Sequence, residues 1–470
     1  MITRTDHASP TATATGASTP RRPARQGLQL LALALGFVMA TLDVTIVNVA
    51  GAKLRSGLDI SLSGLTWVVD GYVLVFASLL LLAGSLARRF GARRIYLTGL
   101  ALFTAASLLC AAAPTAGVLV AGRLLQGAGA ALFMPSSLTL LLNAFPDERQ
   151  RSRILGLWSA IVSTAAGLGP AIGGALVGGL GWRSIFLINL PIGIAGLLLA
   201  RAVVAPVAGR PAPLGAAGHA LGLVTLVALS FALIEGPETG WGSAQVLAAF
   251  ALALLAGAAF AVRERTAKVR VLPGALFADR AFSTANAVGF LFNIGCYGGM
   301  FMLGLFLQNA RGADPMTAGL QLLPTQLVFL LGNILYARWG HRFGNRRALT
   351  ASLLWSAAGT LALAFTVSPE MPYWVLALVL GAANTGLGIG SPAMTGALMT
   401  AAGREHADIA SATLNANRQI GTLVGIAVMG AVLAAGGGWY AGAAASFGLT
   451  GAAYTAAALI AWFGLRARPA

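Results

Sequence analysis

Charge is what this chain of 470 residues has least of. Asp, Glu, Lys and Arg make up only 10% of it, against roughly 25% in an ordinary soluble domain. A soluble protein of this length could not cover its surface with polar groups at that level. Disorder is excluded by the opposite measure, since disordered chains are poor in apolar residues and 57% of this one is hydrophobic. Cysteine is nearly absent: Cys110 and Cys296 both lie inside apolar runs, which leaves no disulfide framework and no thiolate metal site. The four histidines (His7, His219, His341, His406) sit far apart, in polar segments or at their edges, without metal-ligand spacing. A phosphate-cradling Gly-x-x-x-x-Gly-Lys-[Ser/Thr] string is missing, which argues against ATP as an energy source.

What is present in abundance is long apolar runs. A hydrocarbon core about 30 Å thick needs about 20 apolar residues per helix. Fourteen runs of that kind fall near 28–51, 66–87, 95–114, 117–142, 153–179, 184–204, 216–235, 244–262, 282–308, 317–337, 347–367, 372–397, 411–435 and 444–464. Residues 1–26, rich in Thr, Ala, Pro and Arg, read as a disordered cytoplasmic tail without a signal-peptide core.

The net charge of +17 would suggest nucleic acid if it formed one surface. It does not. With fourteen spans both termini share a side, and 25 of the 31 basic residues then fall on that side, against four on the other. Acidic residues split almost evenly. This Lys/Arg asymmetry is the positive-inside pattern. It places both termini in the cytoplasm and removes the nucleic-acid reading.

The chain also repeats itself. Arg89-Phe-Gly91-Ala-Arg93-Arg94 recurs 253 residues later as Arg342-Phe-Gly344-Asn-Arg346-Arg347. The first copy joins spans 2 and 3 and the second joins spans 10 and 11. Pro135 and Pro392 sit correspondingly in spans 4 and 12. Spans 1–6 therefore match spans 9–14 in the same orientation, with spans 7 and 8 inserted. The expected fold is an all-α polytopic membrane protein of two parallel-repeat six-helix bundles plus an inserted helix pair. Its divisions are 1–26 tail, 27–205 N-terminal bundle, 206–280 linker with helices 7 and 8, and 281–470 C-terminal bundle. Parallel repeats about a central path are a transporter architecture.

Four charges remain inside the spans: Asp43, Asp70, Arg123 and Arg418. An acid at the bilayer centre costs about 2.5–3.5 kcal/mol, so it faces a cavity or a partner. At 1.5 Å per residue, Asp43 falls roughly 12 Å and Arg123 roughly 10 Å below the outer surface, with Asp70 somewhat shallower. Asp43 is thus the leading proton carrier, with Arg123 tuning it and Asp70 second; a fixed structural ion pair is the alternative. Arg418 either reaches the substrate path or snorkels to the cytoplasm. Asn48, Gln126, Asn286, Asn293 and Arg418 are candidates for lining a cavity, as are Gln308, Gln326 and Asn333, or they bond between helices. Glu235 and Glu238, at the outer end of span 7, read as solvated. Trp67, Trp182, Trp241, Trp374 and Trp439 read as an interfacial belt.

Several strings resemble those of a known family. Gly84-Ser-Leu-Ala-Arg88-Arg89-Phe-Gly91-Ala-Arg93-Arg94 resembles the loop signature between the second and third helices of the major facilitator superfamily. Arg123-Leu-Leu-Gln126-Gly127 resembles its fourth-helix signature. Gly167-Leu-Gly169-Pro170-Ala-Ile-Gly173-Gly174 resembles the fifth-helix signature of its antiporters. Leu42-Asp43-Val-Thr45-Ile-Val-Asn48, Trp182-Arg183-Ser-Ile-Phe186-Leu-Ile-Asn189-Leu-Pro191 and Asn415-Ala-Asn417-Arg418-Gln419 are similar to strings of its fourteen-helix drug/proton antiporters.

The resemblance implies a proton-coupled exporter of a small lipophilic antibiotic or drug in a bacterial cytoplasmic membrane, not an enzyme. It implies no cofactor beyond the proton gradient, and contact with protons, the drug and membrane lipids. A monomer is expected. It also implies an antiporter hinge at Gly167, Gly169, Pro170, Gly173 and Gly174. Cytoplasmic gate loops would hold Gly84, Arg88, Arg89, Gly91, Arg93 and Arg94, matched by Arg342, Gly344, Arg346 and Arg347. Arg88 stands where the signature usually has Asp, so a charge latch there must use other residues. A transporter of an endogenous metabolite and a polytopic membrane enzyme are the alternatives.

Overall fold

The computed structural model describes residues 23–145, 147–209, 214–272, 274–403, 406–435 and 437–465. The described residues are helical, joined by short turns. In chain order the helices are α1 (Pro23–Leu58), α2 (Leu62–Phe90), α3 (Ala92–Ala111), α4 (Ala116–Ala144), α5 (Glu148–Leu180), α6 (Ser184–Leu187) and α7 (Asn189–Val203). Then come α8 (Ala216–Thr239), α9 (Ala244–Thr266), α10 (Gly274–Phe277), α11 (Arg280–Asn309), α12 (Pro315–Thr366), α13 (Tyr373–Ala402), α14 (Ala407–Ala434) and α15 (Gly438–Gly464). Each apolar run of the sequence falls on one of these. Thirteen stretches are long and apolar enough to cross a membrane, and α5 adds a shorter apolar stretch, Thr164–Leu180. Most of the expected tail, residues 1–22, lies outside the described residues; residues 23–26 already belong to α1.

Local chemistry sets the ends. Ser61, Thr115, Asp279 and Asp314 cap α2, α4, α11 and α12 by accepting from the backbone N–H two or three residues on. Gly91, at φ 93°, and Gly344, at φ 72°, hold the two copies of the repeated basic turn in the left-handed region that favours glycine. Gly344 breaks α12 into two spans.

Helices pack through residues without side chains. In the first six spans, α3 meets α4 where Gly99 and Gly129 face each other's backbones. In the last six, Gly421 and Gly425 of α14 lie on the Phe290 and Ile294 carbonyls of α11. The inserted helices α8 and α9 pair with each other, and α8 also rests on both α2 and α14.

The first and last spans meet at one end only of these glycine contacts, the end opposite Pro23 and Leu465. There Gly51 and Asn48 of α1 meet Leu305 and Gly304 of α11. Gly174 of α5 meets Pro315 and Met316 of α12, Gly319 meets the Pro170 backbone, and Gly430 of α14 meets Thr66 of α2. Small residues let backbones touch where no hydrophobic force between helices is available.

A Cβ at Gly319 would fall 3.0 Å from the Pro170 carbonyl carbon and 3.3 Å from the Ala171 Cα. Backbone cannot rotate away as a side chain does. Gly319→Val is therefore expected to cost about 1–3 kcal/mol of stability by overpacking, read as a lower unfolding temperature in detergent. Gly179→Val, with nothing within 4 Å of its Cβ, is the control that leaves it unchanged.

Candidate functional site

Arg123 and Asp43 meet. One guanidinium nitrogen, Nη1, lies 2.5 Å from Asp43 Oδ2, with both side chains about 1% exposed or less. Two charges taken out of water need good geometry and further hydrogen bonds to offset desolvation, and the surrounding helices supply them. Arg123 Nε donates to the Val68 carbonyl of α2 at 2.9 Å, and Nη1 donates to Gln126 Oε1 at 2.8 Å. Asp43 Oδ1 accepts from Asn189 Nδ2 of α7 at 3.1 Å and from Gln126 Nε2 at 3.4 Å. Ser107 of α3 accepts from Gln126 at 2.8 Å and from Asn189 at 3.4 Å. The Arg123 guanidinium carbon also lies 4.7 Å from the Tyr72 ring centroid and 5.9 Å from that of Phe186, where a cation is attracted by the ring face. The first six spans, α5 apart, thus meet on one buried ion pair.

The sequence placed Asp43 and Arg123 at one depth, and they are in contact. It did not separate Asp70 from them. Asp70 is fully buried on α2, yet it takes no part in this network, and neither of its carboxylate oxygens has a hydrogen-bond partner. Ser107 and Asn189 were missed as members. Asn189 carried a signal, an amide within the Trp182–Pro191 string, but nothing in sequence spacing brings it back to Asp43 across 146 residues.

The fifth-helix glycines form a wedge. Gly169 lies against Thr45 of α1, Gly173 against Ile46, and Gly174 against Pro315 of α12, while Pro170 backs onto Gly319. Gly167 faces open space on the wall of a cavity. That cavity holds about 190 Å³. Its wall takes Thr45 and Gly167 from the first spans and, from the last, Cys296, Tyr297, Met300, Thr325, Gln326, Asn333, Asn384 and Tyr454 among others. No lining residue is ionisable except through thiol or phenol, so it offers apolar surface with neutral hydrogen-bonding groups.

Gln326 and Asn333 are on this wall, as expected of a polar span 10. Asn48, Gln126, Asn286, Asn293 and Arg418 are not. Asn48, Asn286 and Asn293 each turn the side-chain amide back to the carbonyl four residues earlier, and Gln126 belongs to the ion-pair network. Arg418 packs its stem against Gly289 beside Leu414 and Met394. Its neighbour Asn417 donates to the Asn286 carbonyl. The Oδ1 atoms of Asn48 and Asn286 are buried without a partner, so the backbone satisfies only the donor side of these amides.

The basic turns are tied within their own halves. Arg88 donates to Ser85 at 2.9 Å and Arg93 to the Arg201 carbonyl at 2.7 Å. Arg89 lies over Phe90, Arg346 lies 4.1 Å over the Trp462 ring, and Arg94, Arg342 and Arg347 are exposed. Gly84 stands near Arg88. Two expectations need correction. Trp182 is 6% exposed rather than interfacial, because it is packed under Gly57. Glu235, expected to be solvated, is half-buried and accepts from Trp67 Nε1 at 2.7 Å; Glu238 is exposed as expected and accepts from the Ser63 amide at 3.4 Å.

Comparison with known proteins adds to this geometry. The chain matches the family model described as Major Facilitator Superfamily over residues 33–264 and 286–470. It is 55% identical to the methylenomycin A resistance protein of Streptomyces coelicolor, over 96% of this chain and 94% of that protein. The protein of the same name in Bacillus subtilis is 52% identical, over 93% and 94%. The multidrug resistance protein Stp of Mycobacterium tuberculosis is 37% identical, over 87% and 76%. Among solved structures, a crystal structure of the peptide transporter POT with sulfate superposes with a TM-score of 0.67 at 17% identity, covering 93% of each chain. That likeness is one of fold.

Removing one partner of a buried pair strands the other charge, at about 3–5 kcal/mol. Asp43→Ala and Arg123→Ala are each expected to lose stability on that scale in detergent denaturation. The double variant is expected to recover part of the loss, because the two effects share one interaction and do not add.

Proposed function

The chain belongs to the Major Facilitator Superfamily, and from that membership we propose that it is a proton-coupled antiporter. It exports a small lipophilic antibiotic across a bacterial cytoplasmic membrane and so confers resistance. Similarity over nearly the whole chain to proteins named for resistance to methylenomycin A carries the export reading. In this reading the first six and last six spans are two bundles, α8 and α9 are an inserted pair, and both termini face the cytoplasm. The closed end, where Gly51, Gly174 and Gly430 seal the halves, is then the outer face. The bundles rock about the cavity between them, as repeat-built transporters do.

The cavity suits the substrate class. A wall of Met300, Leu303, Leu322, Phe329 and Leu380 with amides and hydroxyls at intervals favours a compact apolar molecule with a few polar groups. Coupling runs through α1. Thr45 touches the cavity, and Asp43, two residues away, faces the other side of the helix, toward α4 and α7. A rotation of α1 that relieves or tightens contact with Gly169 also changes the distance between Asp43 and Arg123. A carboxylate held by Arg gives up proton affinity, and one released from it regains it. Asp43 is therefore the leading proton carrier and Arg123 the group that switches it.

The test is export by proteoliposomes with an imposed pH gradient against a panel of antibiotics and metabolites. Gradient-driven movement of at least one antibiotic is expected. Asp43→Asn is expected to reduce it to the level of empty vesicles, provided the variant is present in normal amount. Movement indifferent to the gradient for every compound rejects antiport, and an Asp43→Asn protein that still concentrates the drug rejects the proton role. Filling the cavity by Met300→Trp is expected to lower transport of larger compounds first while leaving the stability contributed by Asp43 and Arg123 unchanged.

A further inference from the structure

Asp70 is 0% exposed, and both its carboxylate oxygens lack a hydrogen-bond partner. Its position says what it could control. Thr66, one helical turn earlier on α2, lies against α14 where a Cβ at Gly430 would come within 2.7 Å of Thr66 Oγ1. Residues four apart share a helix face, so Asp70 belongs to the stripe of α2 that meets α14. The adjoining residue Trp67 donates to Glu235 of α8, and Ser63 donates to Glu238 of α8. Since α8 rests on both α2 and α14, Asp70 lies where a helix of the first spans, a helix of the last spans and a helix of the inserted pair converge.

The ionisable groups around this junction are few. From α8 come Glu235 and Glu238, both already accepting from α2, and from α1 comes Arg55, whose charge acts on Glu238. The stretch 419–434 of α14 has no ionisable side chain, and α2 has none other than Asp70 and Tyr72 before Arg88. Tyr72 stacks on Arg123, on the α4 side of α2. Arg123 is occupied by Asp43, Gln126 and the Val68 carbonyl. Among the described residues no cation forms an ion pair with Asp70.

We propose that Asp70 is a proton-binding lock on the seam between α2, α14 and α8. The seam closes only around the neutral acid, and ionisation of Asp70 opens it. An ionised carboxylate cut off from water and from every donor is strongly disfavoured. Parting α2 from α14 lets water reach it and removes the penalty. Proton occupancy and closure then favour each other reciprocally. The sign follows: acid pH at this end favours the closed seam, and raising the pH opens it. The proposal rests on the antiport reading for one point alone, that this end is one of two that open in turn. Within that cycle the lock prevents the emptied carrier from closing its outer end before it has taken a proton.

Pulsed EPR distances test it in full-length protein in nanodiscs. Spin labels are placed at Leu62→Cys on α2 and Ala434→Cys on α14, in a Cys296→Ser background. Cys110 is 0% exposed and stays unlabelled. With Asp70 present, the short-distance population is expected to dominate at acid pH, and a longer distance to grow as pH rises. Asp70→Asn is expected to abolish the longer population at every pH, and Asp70→Glu to restore it. Glu235→Gln and Glu238→Gln, each with Asp70 intact, are expected to keep the pH response.

A pH response that survives Asp70→Asn, or that disappears in either glutamine variant, overturns the proposal. So does a parent protein whose distance ignores pH. Failure of antiport is a separate outcome: export indifferent to the gradient together with an intact, Asp70-dependent distance change rejects the antiport reading and leaves the lock standing.

Discussion

A buried charge in a bilayer must be answered by another charge or by dipoles, and the contact between Asp43 and Arg123 is the answer around which the N-terminal bundle is arranged. The pair fixes α1 against α4. The remaining lone pairs and N–H groups then fix α2 through the Val68 carbonyl, α3 through Ser107 and α7 through Asn189. Aromatic rings of Tyr72 and Phe186 close over the guanidinium. No single contact here is unusual, but together they leave the arginine with no route to water. Among the described residues the last six spans hold no ion pair. They hold instead the greater part of a cavity wall without a formal charge. The buried ion pair and the uncharged cavity wall are thus divided between the two halves.

Division requires a link, and α1 is placed to be one. It presents Asp43 to its own bundle, Thr45 to the cavity and to Gly169, and Asn48 to Gly304 of α11. Within six residues a single helix touches the ion pair, the cavity and the opposite half. The Gly-Pro segment of α5 completes the arrangement. Gly169 and Gly173 let α1 approach on one face, and Gly174 lets α12 approach on another. Side chains at these positions would hold the three helices apart. Pro170 breaks the backbone hydrogen-bond ladder at the same level, so bending there is less costly than elsewhere in α5.

The fold was legible in the sequence because its two signals are long-range averages. Runs of apolar residues predicted fourteen spans, and each falls on a helix, thirteen stretches being long and apolar enough to cross a membrane and Thr164–Leu180 shorter; the repeated basic turn predicted two helix breaks, each at a glycine of positive φ. The site was legible where a residue is expensive in lipid: Asp43 and Arg123 announced themselves by cost, and depth counting brought them together. It was less legible where part of the cost is cancelled locally. Asn48, Asn286 and Asn293 were read as cavity groups or as bonds between helices; each donates its amide N–H to the carbonyl one turn back, and the Oδ1 atoms of Asn48 and Asn286 stay without a partner. Tyr297, Met300 and Asn384 were not singled out at all, since a residue that is ordinary in a membrane helix carries no mark of facing a cavity. Trp182 was read by its position at a helix end, whereas its burial depends on Gly57, which no periodicity relates to it.

Asp43 and Asp70 are similar by composition and opposite by environment. Each is an aspartate in an early span, fully buried. One has an arginine and two amides; the other has nothing. A carboxylate with an ion-pair partner is stable as an anion wherever the partner follows it, so its state depends on what moves inside the bundle. A carboxyl group without a partner is stable only as the neutral acid while it stays dry, so its state depends on what moves around the bundle. Two acids that answer to different motions can be protonated at different points of one cycle. A single carboxylate could bind and release a proton, but in the proposed lock it is the second that answers to whether the seam is shut. The inserted helix α8 lies on the seam side of Asp70 and ties to α2 through Glu235 and Glu238. In the proposed lock it is the helix that keeps water from the unpartnered acid, which gives α8 a physical task at the seam.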